Sequence, residues 1–367
     1  MGKNPADVPA LEQKSLSVLP TRTIYTFEGG GIALTLAFMT PALPEDIDIL
    51  SRPVTYLTWE AKSLDGGSHD VSAYLDASGE IAVNHPQQQV LHDAPPIPGF
   101  LVGRIGSKDQ PVLAKKGDDI RIDWGYLYMA APDNTGRRQA FDDPAVLQRG
   151  FAANGTIGGN ASAARLPANA DRIAAAQTVD LGKVGSQPVS RWLMLAYDDL
   201  YSIQYMKKNL RPYWRRNGWE AADLLKAAAK DYEPLRKRCA VFDAELMSDL
   251  ARAGGEKYAM LCALAYRQCF AAGKFVADAN GRPLQFCKEN HSNGCIATSD
   301  VFYPMAPQFL LMGSTLSKSF LVPFMNYAVS DRWKFPFAPH DLGTYPHANG
   351  QVYGDGERGV NNQMPVE

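Results

Sequence analysis

Up to about Tyr201 the apolar residues recur with a period of two, in short runs cut by glycine and aspartate. Residues 22–28 and 32–38 flank Gly29-Gly30-Gly31, and residues 54–60 and 71–75 flank Asp65-Gly66-Gly67. Alternation on both sides of a glycine turn predicts β-hairpins. Residues 100–105, 120–124, 126–130 and 192–197 extend the series. Many short strands with almost no helical period predict a large antiparallel sandwich. Residues 133–176, rich in Ala, Gly and Asn, have no clear period and read as a mobile insertion with a short helix.

After Asp198-Asp199 the period changes to that of helices. Residues 220–232 and 234–253 read as two helices on either side of Pro234, and Gly254-Gly255 offers a left-handed stop. In the third helix, 256–274, Met260, Leu261, Leu264 and Phe270 cover most of the circumference, which predicts burial. A hairpin over 275–286 and helices over 306–311 and 315–329 follow. The expected fold is multidomain α+β, with a β-sandwich over residues 1–205 and a helical domain over 206–367.

With 367 residues, 37 Lys+Arg against 39 Asp+Glu and 46% hydrophobic residues, the chain has the composition of a globular protein with two cores. The balanced charge, without a dense basic block, speaks against nucleic acid as a partner. No apolar run reaches the roughly 20 residues of a membrane span, and residues 1–20 carry no signal-peptide pattern. The five cysteines (239, 262, 269, 287 and 295) form no CxxC pair and read as small buried hydrophobes.

Candidate chemistry gathers on loops. Residues 288–300, Lys-Glu-Asn-His-Ser-Asn-Gly-Cys-Ile-Ala-Thr-Ser-Asp, hold two carboxylates, a histidine and several amides between a hairpin and a helix. Such a loop suits a small-molecule site. The competing reading makes Asp300 a helix cap and Asn293-Gly294 a turn. A second loop sets His340-Asp341 between prolines and aromatics, where the carboxylate can orient the imidazole or cap a turn. No HxH or HExxH spacing accompanies it, so no metal is expected. Gly354-Asp-Gly-Glu-Arg-Gly359 fits GxGxxG formally but lacks a βαβ setting, and reads as pocket wall or plain loop.

The strings SRPVTYLTWEAKSLDG, DLGKVGSQPVSRWLMLAYDD, CKENHSNGCIATSDVFYP and RWKFPFAPHDLGTYPHANGQVYG resemble the glutaminase A family, whose core is a six-helical-hairpin domain. The resemblance runs from about Thr21 to Glu367 and reaches fungal and bacterial members, with a bacterial source expected here. It implies an N-terminal antiparallel β-sandwich on an (α/α)6 toroid, with a pocket at the sandwich-facing end. It also implies hydrolysis of glutamine to glutamate and ammonia, without a cofactor, by a secreted or periplasmic protein. Glu289 and Asp341 are then the expected catalytic residues. Asn290, Asn293, Asp300, His340, Tyr345, Asn349 and Gln351 are the expected binding residues for a small-molecule substrate.

A more distant similarity, to glucosylceramidase-type β-glycosidases, assigns Glu289 as nucleophile and Asp300, His340 and Asp341 as holders of sugar hydroxyls. The acid/base aspartate of those enzymes lies beyond the position of Glu367. Residues 206–367 are fewer than the about 200 that twelve helices with connections require. A truncated toroid is therefore expected, with apolar helix faces open to self-association. An inactive fragment is the third reading.

Overall fold

A computed structural model describes residues 8–133, 136–158, 167–289, 291 and 293–351. The chain opens with β1 (Glu12–Val18), β2 (Arg22–Gly29) and β3 (Ile32–Met39), then the short helix α1 (Ile47–Leu50). Next come β4 (Val54–Ser63), β5 (His69–Ser78), β6 (Gln89–Asp93), β7 (Phe100–Ser107), β8 (Tyr126–Pro132) and β9 (Arg137–Asp142). Helix α2 (Pro144–Asn154) leads to β10 (Ala168–Asn169), β11 (Ala174–Val184) and β12 (Val189–Asp198). The strands make a nine-stranded sheet, in the order β1-β2-β3-β4-β12-β8-β7-β6-β10, and a three-stranded sheet β5-β11-β9. Every pairing in both sheets is antiparallel.

The central strands carry adjacent apolar residues, such as Tyr56-Leu57, Tyr128-Met129-Ala130 and Leu193-Met194, so the large sheet is buried on both faces. Leu57, Trp59, Ala61, Leu127, Met129 and Leu193 face the small sheet and meet its Ala77, Val179 and Leu181. Their neighbours Val54, Tyr56, Tyr128, Ala130, Met194 and Ala196 face the other way, onto a helix. That helix is α3 (Ala221–Gly254), which presents Leu224, Leu225, Ala228, Tyr232, Leu235 and Cys239 to the sheet. Tyr232 stacks on Trp192 with ring centroids 4.2 Å apart, and the Tyr56 hydroxyl donates to the Ala228 carbonyl at 2.8 Å.

The helical half follows β13 (Ile203–Tyr205) and β14 (Lys208–Leu210). Helix α3 turns at Gly255 into α4 (Glu256–Ala271), and the hairpin β15 (Gly273–Ala277) and β16 (Pro283–Cys287) comes next. Helix α5 (Ser299–Met312) turns at Gly313 into α6 (Ser314–Ala328), and β17 (His347–Ala348) pairs in parallel with β13. No described helix is long and apolar enough to cross a membrane.

Four expectations need correction. Helix α3 runs unbroken through Pro234. Proline removes one hydrogen bond to the carbonyl four residues earlier, and here both Pro234 and Lys230 lie on the exposed side, where water can serve that carbonyl. Helix α4 is not buried all round. Ala259, Ala263, Tyr266 and Phe270 face inward, whereas Met260, Leu261 and Leu264 are 62%, 66% and 45% exposed. Residues 120–124 form no strand, and side chains hold them instead: the Arg121 amide donates to Asn84, and Asp123 accepts from Gln88. Within 133–176 the described residues include strands of both sheets as well as α2.

One buried carboxylate ties the two halves. Asp243 of α3 accepts from the Thr21 amide at 2.8 Å, the Thr21 hydroxyl at 2.9 Å and Arg22 Nε at 2.7 Å. Removing it strands those donors in a site with almost no water access. Asp243→Ala is expected to cost roughly 3 kcal/mol in urea unfolding. Arg252→Ala breaks only the exposed pair with Asp249 and should stay within about 0.5 kcal/mol. Equal effects would show that Asp243 does not couple the halves.

Candidate active site

Two loops, about 45 residues apart in sequence, cross as a short two-stranded ladder. The Ile296 amide donates to the Gly343 carbonyl at 2.9 Å, and the Leu342 amide to the Ile296 carbonyl at 3.0 Å. The Ser299 amide donates to the His340 carbonyl at 2.7 Å, and the Tyr345 amide to the Gly294 carbonyl at 2.9 Å. A bridge between Lys288 and Ile296 folds the first loop back on itself, with the Glu289 amide on the Cys295 carbonyl at 2.9 Å. This ladder brings Glu289, Cys295, Asp300, His340 and Asp341 into one neighbourhood.

His340 Nδ1 donates to Asp341 Oδ2 at 2.9 Å, and His340 Nε2 lies 4.0 Å from Asp300 Oδ1. The other Asp341 oxygen accepts from the Gly343 amide at 2.8 Å, so the residue both orients the imidazole and caps a turn. The hydrogen bond that His340 donates to Asp341 holds its pKa above the usual value against the opposing effect of burial. The charges of Asp341, Asp300 and Glu289 act in the same direction. Thr298 Oγ1 donates to Glu289 Oε2 at 3.4 Å. The Cys295 thiol contacts Asp341, and burial, helped by the Asp341 and Glu289 charges, pushes its pKa far up. Cys295 is therefore a neutral S–H group rather than a nucleophile.

The expected binding residues divide. Asp300 stands in the first turn of α5, half exposed, and Thr298 occupies the cap position instead. Asp341 has no exposed surface, so it reaches a substrate through His340 rather than directly. Asn293 spends its side-chain oxygen on the Cys295 amide at 3.0 Å, the turn role of the competing reading. Gln351 is buried and accepts from the His340 amide at 2.7 Å. Both ends of the Asn349 amide are taken, by the Lys207 amide at 2.6 Å and Gln204 at 2.6 Å, which makes it a tie to β13. Tyr345 lies largely buried beside Lys288, whose ammonium is 5.7 Å from the ring. Asn290 and the GxGxxG string lie outside the described residues.

The sandwich closes one side of this site. The His347 Nε2–H donates to the Leu113 carbonyl at 2.7 Å, and the Gly117 amide to the Tyr345 carbonyl at 3.2 Å. His291 pairs with Asp119 at 2.9 Å. Gly294 takes φ +67°, and a Cβ there would stand 2.5 Å from the Asp118 Cα. Ala297, buried beside it, holds φ +50° without being glycine. A separate cavity of about 290 Å³ lies between the halves, lined by Arg52, Trp214, Arg267 and Lys274 among others, and none of the expected site residues line it.

The matches to known proteins fall on these same segments. Residues 21–249 match the family model "Domain of unknown function (DUF5127)", and residues 255–367 match "Glutaminase A six helical-hairpin domain". The chain belongs to the glutaminase A family. It is similar to Glutaminase A of Aspergillus oryzae, 27% identical over 378 residues that cover 100% of this chain and 53% of that protein. It is also similar to a "Probable glutaminase" of Arthroderma benhamiae, 24% identical over 359 residues that cover 92% of this chain and 40% of that protein. The chain thus spans about half the length of these fungal relatives, which say nothing of a bacterial source. A chain assigned as a kojibiose phosphorylase, from the human microbiome, superposes with a TM-score of 0.34 at 9% identity, over 69% of this chain and 27% of that one. So loose a superposition adds nothing to the fold above.

Cys295 and the loop at 113–119 went unmarked in the residue reading. Cys295 is flanked by apolar residues, and only its partner Asp341 distinguishes it. Gly294→Ala should lower stability by more than about 1–2 kcal/mol, from the left-handed φ and the clash with Asp118. A variant melting like wild type would show that the sandwich does not press on the loop.

Proposed function

We propose that the Glu289 loop hydrolyses the side-chain amide of glutamine. The observation that carries this reading is the convergence of Glu289 with His340, whose pKa the neighbouring Asp341 raises, and a half-exposed Asp300, in a family whose named relatives are glutaminases. Glutamine is a zwitterion at neutral pH. The His340 imidazolium suits its α-carboxylate, and the Asp300 carboxylate suits its α-ammonium. Glu289 then acts as general base on a water aimed at the carboxamide carbon. As the C–N bond breaks, the proton taken by Glu289 passes to the leaving nitrogen. Water is consumed, and glutamate and ammonia leave. Asp341 keeps the imidazole charged and oriented.

Ammonia release from glutamine should fall at least about a hundredfold in Glu289→Gln, the scale of lost acid–base catalysis. Unchanged release would remove Glu289 from the mechanism. Turnover of aryl glycosides in place of glutamine would establish glycoside hydrolysis instead.

The pH dependence has a definite sign. Because the folded His340 pKa is raised, the imidazolium persists above the usual histidine range of about 6.5. Affinity for glutamine should weaken as pH rises through that pKa. Asp341→Asn removes the main cause of the raised value, so the same loss should come at lower pH, read as KM against pH. An unshifted profile would show that His340 does not hold the substrate.

A further inference from the structure

A sulfur, a nitrogen and an oxygen donor meet at the centre of the loop crossing. Cys295 Sγ, a ring nitrogen of His340 and a carboxylate oxygen of Asp341 all lie within 4.8 Å of one another, and all three residues are buried. We propose that Cys295, His340 and Asp341 form a binding site for a divalent cation of the zinc class.

Three features of the arrangement support this. The donor set is the first. Thiolate, imidazole and carboxylate together suit zinc, whereas magnesium and calcium take oxygen donors. The second is rigidity. The ligands stand on two loops locked by the Ile296–Gly343 and Leu342–Ile296 hydrogen bonds, and the Asp341 carboxylate is fixed further by the Gly343 amide. Little ordering is left to be done on binding. The third is the second ring nitrogen: Nε2 lies 4.0 Å from Asp300 Oδ1 while Nδ1 faces Asp341. At 4.0 Å that carboxylate is too far to accept from the ring N–H, and it supports a metal-bound imidazole through its negative charge, which makes the ring a better ligand.

Three protein donors leave one coordination position open in a tetrahedral ion. Binding replaces the Cys295 thiol proton and leaves His340 as neutral imidazole, so each ion taken up releases protons to solvent. The cation-bound and proton-bound forms of the site are then alternatives. The inference goes beyond the hydrolytic reading, and its test needs no turnover.

Cobalt(II) serves as probe, titrated into the purified chain. Saturation at one ion per chain is expected, with a near-ultraviolet thiolate-to-cobalt absorption. Cys295→Ser should abolish that band and weaken binding at least about tenfold. Cys287→Ser, a change in the buried cysteine nearby in sequence, should keep it. X-ray absorption of the zinc-loaded wild type supplies a measurement that needs no variant. One sulfur at about 2.3 Å with nitrogen and oxygen neighbours at about 2.0–2.2 Å is expected. A zinc shell without sulfur, no saturable cobalt uptake, or a band that survives Cys295→Ser in the folded protein would overturn the proposal.

Discussion

The structure turns on the crossing of two loops. The segment after β16 and the segment before β17 carry Glu289, Cys295, His340 and Asp341, and none of these four residues stands in a helix. Backbone hydrogen bonds between Ile296 and Gly343, and between Ile296 and Leu342, hold them together. Each bond contributes only about 1 kcal/mol on its own. Together they fix which way Glu289, Cys295, His340 and Asp341 face, because a one-residue slip in a ladder turns every side chain to the other side.

The rest of the molecule can be read as support for that crossing. The large sheet is covered by the small sheet on one face and by α3 on the other, so it forms a stiff floor. Its loops at 113–119 press on the site through Leu113, Gly117 and Asp118. Strand β13, at the joint between the halves, pairs with β17 and fixes the end of the second loop. The Asp243 cluster ties α3 to the start of β2. The site therefore depends on both halves although its chemical groups belong to one.

Much of the fold was legible in the residues. Alternation over residues 54–60 gave the strand but not its double coverage, which shows in the adjacent buried Tyr56 and Leu57, and the change of period after Asp199 preceded α3 by two short strands, β13 and β14. Pro234 misled, because a local rule about proline ignores whether the broken carbonyl faces water. In α4 the apolar residues ring the helix, and periodicity alone could not tell which side would find a partner. The site was legible differently. Residue types marked both loops, but nothing local to either loop says that they touch, and only family resemblance joined them. Asn349, Asn293 and Gln351 looked like binding groups because amides serve ligands and backbone equally well, and here backbone and neighbouring side chains took them. Cys295 was read as core because sulfur among Gly, Ile and Ala usually is.

The central claim is spatial: the charge of Glu289 lies close enough to His340 to act on it. Proton NMR titration of the His340 imidazole, in wild type and in Glu289→Gln, measures this without any assumption about substrate. A wild-type pKa above the usual value of about 6.5 is expected, and a lower one once the Glu289 charge is gone. Identical titration curves in the two folded proteins would contradict it.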